Sequence, residues 1–253
     1  MLSDHDRVAH VSQIRESIDK IRAALRRVTH PQAETAPLPP RVLSDGERNR
    51  VEELYDEAKS ASDLGDESRA ITLYRDLLML DPHHLRARNN LGCLLGARGE
   101  HELALREYQQ ALELNPESWE LLHNAGATLG SLGRFDESIA TLMQANEARP
   151  EDPEILYNLG MAKFQKGLYR EAVHFFRRSL EIDGANETIY LHLGQAYNHL
   201  GEVDRAIDSF ERVIKARPGY ARAYNLLGVL YRSQGKIADS KRMFERAREL
   251  TCT

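Results

Sequence analysis

The chain has 253 residues, 42% hydrophobic and 29% charged, which suits one or two globular domains with a sizeable interior and excludes a largely disordered chain. A formal net charge of −5 argues against a protein devoted to nucleic-acid phosphates. No apolar run approaches the length of a bilayer span, the N-terminus MLSDHDRVAH lacks a secretory pattern, and the two distant cysteines, Cys93 and Cys252, read as free thiols of a reducing, cytoplasmic compartment.

The first predicted element is a helix within residues 1–30, with Ser3 and Asp6 as candidate caps and Pro31 beyond its end. From Val11 onward its apolar residues, Val11, Ile14, Ile18, Ile21, Leu25 and Val28, are spaced three, four, three, four, three, a heptad seam. Burying six aliphatics contributes at most roughly 9–18 kcal/mol, against an ordering cost of about 1–2 kcal/mol per residue. Such a helix is marginal alone. It therefore either finds a surface (a second copy in a coiled coil, the groove of its own chain, a partner, or the first repeat as a cap) or stays mobile. Membrane-surface binding is disfavoured because Asp4, Asp6, Glu16 and Asp19 accompany the basic residues. Residues 31–43, PQAETAPLPPRVL, follow as an extended proline-rich linker. Ser44 with Glu47 then offers a capping box.

Beyond the linker the chain repeats itself. Gly65, Gly99, Gly133, Gly167, Gly201 and Gly235 are 34 residues apart, without a gap. Seven residues upstream stand Ala58, Gly92, Gly126, Gly160, Gly194 and Gly228; five downstream stand Ala70, Ala104, Ser138, Ala172, Ala206 and Ser240. Four further on come Tyr74, Tyr108, Leu142, Phe176, Phe210 and Phe244, and the units close on Pro82, Pro116, Pro150, Gly184 and Pro218. The small columns let two helices approach closely. The spacing glycine ends the first helix in a left-handed conformation. The large column fills the space between the helices, and the proline ends the second one. Unit 1 has Ala61 where a bulky residue is usual, so looser packing is expected there.

These columns closely resemble the tetratricopeptide repeat (TPR) family over about four-fifths of the chain, with units 51–84, 85–118, 119–152, 153–186, 187–220 and 221–253 in an array of residues 44–253. The resemblance implies an all-α fold, a right-handed solenoid of six helix pairs with an extra N-terminal helix. In unit 6, Lys241 and Arg248 stand where other units carry mostly apolar residues, such as Ile71 and Leu78, which suggests that the array ends there and leaves Met243, Phe244 and Leu250 partly exposed.

The resemblance also implies that the first helix of each unit lines a concave groove. Asn90, Asn124 and Asn158 recur at one lining position. An amide both donates and accepts, so the row suits a peptide backbone; the same amides also suit bonds between neighbouring helices. Asn89, His123, Gln195, Asn198 and Asn225 lie beside them, and Tyr157, Met161 and Phe164 form an apolar stretch that either receives a ligand side chain or turns into the core. The carboxylate-clamp pattern of chaperone-binding members is missing, and Glu120 would repel a terminal carboxylate, so no clamp-type chaperone tail is expected. His192 and His199 are seven apart and lack a completing ligand, so no metal or other cofactor is expected. Cys93 near His123 has no orienting group, and no phosphate loop, GxSxG or HExxH occurs. The expected function is a non-catalytic scaffold holding a partner polypeptide. The alternatives are a self-assembling structural protein, joined through the N-terminal helix or the terminal repeat, and an accessory subunit of an enzyme or secretion complex.

Overall fold

The computed structural model describes residues 42–184 and 186–251. The predicted N-terminal helix with its seam residues Val11, Ile14, Ile18, Ile21, Leu25 and Val28, nearly all of the linker, and Cys252 lie outside the described residues. The rest forms twelve helices, with no strand among the described residues. They pair as α1 (Asp45–Asp63) with α2 (Glu67–Leu80), α3 (Leu85–Ala97) with α4 (His101–Leu114), and α5 (Trp119–Ser131) with α6 (Phe135–Ala148). The series continues with α7 (Pro153–Gln165) and α8 (Tyr169–Asp183), α9 (Glu187–His199) and α10 (Val203–Ala216), and α11 (Ala221–Ser233) and α12 (Ile237–Thr251).

Local chemistry sets the helix ends. Ser44 and Glu47 close a reciprocal capping box on α1, the Ser44 N–H donating to Glu47 Oε2 at 2.9 Å and the Glu47 N–H to Ser44 Oγ at 3.3 Å. His84, Ser118, Asp152 and Asn186 cap α3, α5, α7 and α9 with their side chains. Each first helix ends two residues before its glycine, whose φ lies between +73° and +83°. The Asp66 N–H then reaches Ala61 O at 2.9 Å and the Gly65 N–H reaches Ser62 O at 2.9 Å, and the same pair of bonds recurs in each later unit. This pairing satisfies the last carbonyls and lets the chain reverse within three residues.

The second helices stop for another reason. A proline bars the helical region to the residue before it, and Asp81, Asn115, Arg149 and Arg217 accordingly take φ between −124° and −139° with ψ between 81° and 87°. Gly184 exerts no such constraint, and α8 runs 15 residues where α2, α4, α6 and α10 run 14.

Within a pair, the small column meets the large one. A Cβ added at Gly160 would lie 2.5 Å from Phe176 Cδ1, and one at Gly126 2.6 Å from Leu142 Cγ. The Ala/Ser column closes the same seam from the second helix: Ser138 Oγ donates to Gly126 O at 2.7 Å and Ser240 Oγ to Gly228 O at 2.8 Å. Ala61, where looser packing is expected, is buried with Val51, Leu54 and Tyr55.

Between pairs, each first helix packs on the second helix of the preceding unit, and the first helices α3, α5, α7 and α9 also touch one another in succession. Successive second helices do not approach as closely. The array therefore crowds along its first-helix side. Its buried side chains form three clusters: one from Val51 to Leu129, a small one around Leu142, Ile155 and Leu159, and one from Ala172 to Leu230.

Candidate protein-binding face

The first helices bring the predicted amides into one row. Asn124 Nδ2 donates to Asn89 Oδ1 at 2.9 Å, Asn158 Nδ2 lies 2.7 Å from His123 Nε2, and Asn90 Nδ2 donates to the hydroxyls of Tyr74 at 3.0 Å and Tyr55 at 3.3 Å. Each rung thus ties its helix to the first helix of the preceding unit, 35 residues upstream. The inter-helix role of these amides is therefore present. It uses only their N–H groups: among the described residues no donor reaches Oδ1 of Asn90, Asn124 or Asn158, and none of these oxygens is sealed from solvent. Tethering orients each amide, and its acceptor stays available.

The fourth rung differs. His192 occupies the asparagine column in unit 5 and packs among rings, with centroids 5.9 Å from Tyr157, 5.9 Å from Phe176 and 6.3 Å from Phe164. Its Nδ1 is buried without a partner. Burial, reinforced by Arg222 and opposed by Gln195, holds its pKa below the ordinary 6.5. His123 is lowered by burial too, against the raising influence of Glu154 and Asp152. With its proton on Nδ1, neutral His123 accepts from Asn158.

Both rings make the fold sensitive to mild acid. A histidine whose folded pKa is depressed stabilises the fold fully above the ordinary value, and that contribution is lost as pH falls through the lowered one. The melting temperature is expected to drop as pH falls below about 6.5, before carboxylates titrate extensively. His192→Phe, which keeps a ring among rings, is expected to flatten that slope. Melting curves of both proteins over that fall in pH check this, and equal slopes would refute it.

The apolar stretch is only partly open. Tyr157, Met161 and Phe164 are half-buried and pack against the cluster of units 4 to 6. Phe164 sets its edge on Tyr169, centroids 5.4 Å apart, and Tyr169 stacks flat on His199 at 4.3 Å. His192 and His199, which fall at lining positions of unit 5, are thus built into its aromatic wall. Gln195 is half-buried beside them, and Asn198 and Asn225 are exposed.

Cys93 is exposed on α3, where Tyr108 Oη donates to its Sγ at 3.4 Å and Asn124 Nδ2 lies 3.7 Å away. Burial, with the thiol beside it, pushes the Tyr108 phenol well up. His123 Nε2 faces Asn158, and the hydrogen-bond contacts of Cys93 among the described residues are Tyr108 and Asn124, not His123. Among the described residues no group of three or more His, Cys, Asp or Glu is placed to hold a metal ion, and no helix is long and apolar enough to cross a membrane.

Three sequence models described as Tetratricopeptide repeat match residues 55–118, residues 95–159, and residues 151–218 with 186–252, together most of the chain. The chain belongs to the tetratricopeptide repeat family. No curated protein matches it. Among solved TPR structures, a crystal structure of MamA is 27% identical with a TM-score of 0.60, covering 64% of this chain and 94% of that one. YrrB, described as a TPR protein with an unusual peptide-binding site, is 22% identical with a TM-score of 0.60, covering 70% and 91%. PilF of Pseudomonas aeruginosa is 20% identical with a TM-score of 0.68, covering 81% and 94%. YrrB and PilF share the fold; their identities carry nothing further.

Proposed function

We infer that this TPR array is a non-catalytic scaffold that holds an extended segment of a partner protein along its first-helix face. The observation that carries this reading is the row of tethered amides with unused acceptors at Asn90, Asn124 and Asn158. Packed helices lie about 8–10 Å apart. A polyproline II-like segment rises about 3.1 Å per residue with three residues per turn, so it presents one backbone N–H to the same side about every 9 Å. That repeat is close to the spacing of packed helices, and the first helices α3, α5 and α7 touch in succession; a helical guest, whose own N–H groups are bonded internally, does not use the amides. The half-open apolar surface of Tyr157, Met161 and Phe164 lies on α7 beside the last amide rung and suits an apolar guest side chain. YrrB shows that this fold accommodates a peptide-binding site; for this chain the reading rests on its own residues.

Two variants test it. Ala127→Trp fills the wall between rungs without removing any bond, and Asn124→Ala removes one acceptor. The partner segment, identified by affinity purification and mass spectrometry and then synthesised, is expected to bind Ala127→Trp more than about tenfold more weakly. Asn124→Ala is expected to lose roughly 2- to 10-fold, the equivalent of one hydrogen bond. Equal affinity for wild type and Ala127→Trp, with unchanged melting temperatures, would refute the groove assignment.

A further inference from the structure

We propose that a second copy of this chain stacks end to end on the first, the outer face of α1 in one copy covering the outer face of α12 in the other. The inference does not depend on the groove reading, because it concerns the two ends of the array.

It starts from one helical stripe. Positions 3, 7 and 10 of a unit fall on one face of its first helix, the face laid on the preceding unit. In unit 2 they are Ala87, Leu91 and Leu94, in unit 4 Ile155, Leu159 and Ala162, and in unit 5 Ile189, Leu193 and Ala196, all buried except the half-buried Leu94. In unit 1 the same stripe reads Glu53, Glu57 and Ser60, all exposed, and Leu64 one turn beyond is 83% exposed. Among the described residues nothing covers this face.

The opposite end shows the reciprocal change. Positions 21 and 28 of the second helix are Ile71 and Leu78 in unit 1 and Leu105 and Leu112 in unit 2, against which the next first helix packs. In unit 6 they are Lys241 and Arg248, both exposed. Between them Phe244 is only half-buried, whereas Phe176 and Phe210 in its column are 0% and 1% exposed. Arg232 lies over its ring at 5.7 Å.

A unit 1 placed where a following unit packs therefore sets two carboxylates against two cations, with Leu64 and Phe244 as apolar surface near them. The local ion pairs that hold these carboxylates, Arg50–Glu53 at 3.1 Å and Arg69–Glu57 at 4.0 Å, are solvent-exposed and worth little. Exchanging them for contacts shielded in an interface is favourable. Because the two faces differ, the contact is heterologous, so copies add head to tail rather than pairing as an isologous dimer.

Light scattering and sedimentation of the full chain test this. Wild type is expected to grow in mass with concentration and to shrink toward monomer in high salt. Lys241→Glu/Arg248→Glu and Glu53→Lys/Glu57→Lys each place like charges in the contact and are expected to weaken association about tenfold or more. All four positions are exposed, so circular dichroism of each variant should match wild type. Mixed one to one, the native α1 face of the first variant meets the native α12 face of the second, and the two reversed faces are again opposite in charge, so the mixture is expected to regain growth that neither variant shows alone. Ala127→Trp should leave the assembly unchanged. A wild type that stays monomeric at every concentration, a closed dimer, or a mass that neither variant alters would overturn the proposal.

Discussion

Phe176→Ala is expected to cost about 3–5 kcal/mol. The Phe176 ring is fully buried and lies on Gly160, so truncating it opens a cavity between α7 and α8 that the two helix backbones cannot close. Gly160→Ala attacks the same contact from the other side. Its new methyl would lie 2.5 Å from the ring, an overpacking worth about 1–3 kcal/mol, partly offset by the roughly 1 kcal/mol helix preference of alanine over glycine. Unit 1 shows that the seam has some give, since Ala58 and Tyr74 are both buried there. The double variant removes the clash and partly refills the space, so it should be more stable than the sum of the single losses. Denaturant unfolding of the four proteins measures this coupling. Hydrogen exchange should place the loss in α7, α8 and their neighbours, because a repeat contacts only the units beside it. A Phe176→Ala loss below about 1 kcal/mol would contradict this packing.

Asn146→Leu is expected to stabilise the protein by about 1–3 kcal/mol. Asn146 stands on α6 in a column otherwise held by Leu78, Leu112, Leu180 and Ile214 among units 1 to 5, and its Oδ1 is buried without a donor. Folding therefore strips water from a carbonyl and returns nothing. It does so in the smallest of the three clusters, where Leu142 also replaces the ring found in the other five units. Leucine removes the orphaned acceptor and adds apolar contact. Thermal and denaturant unfolding check the effect, and a melting temperature below that of wild type would show that Asn146 has a bonding partner in solution.

Both predictions fall on features that differ in how visible they are in the amino-acid sequence. The glycine, small, large and proline columns announce the helix pairs because each does a local job within one unit, and the positive φ of the spacing glycines and the Gly–Phe contacts follow from it. The stripe of Glu53 and Glu57 is equally readable by comparing columns across units, yet it gains meaning only when the same column is seen buried in Leu91 and Leu159. The face is harder. That Asn124 donates to Asn89 depends on a one-residue offset between neighbouring helices, which periodicity alone does not express. Phe164 and Met161 sit at lining positions but are half covered: Tyr169 at the start of α8 and His199 at the end of α9 set their rings against Phe164, and Met161 packs on the cluster of units 4 to 6. Lys163, buried on α7 and bonded to Glu171 at 2.7 Å beneath an exposed surface, reads in sequence as just another surface charge.

A benzophenone amino acid placed at Ala127, on the first-helix face, and in a second protein at Arg106, exposed on α4, locates the bound segment directly. Irradiation in cells followed by sequencing of the joined peptides should yield one recurring extended segment from Ala127 and only scattered background from Arg106. The same segment recovered equally from both sites, or from Arg106 alone, would mean that the row of amides is internal bracing and that partners dock elsewhere.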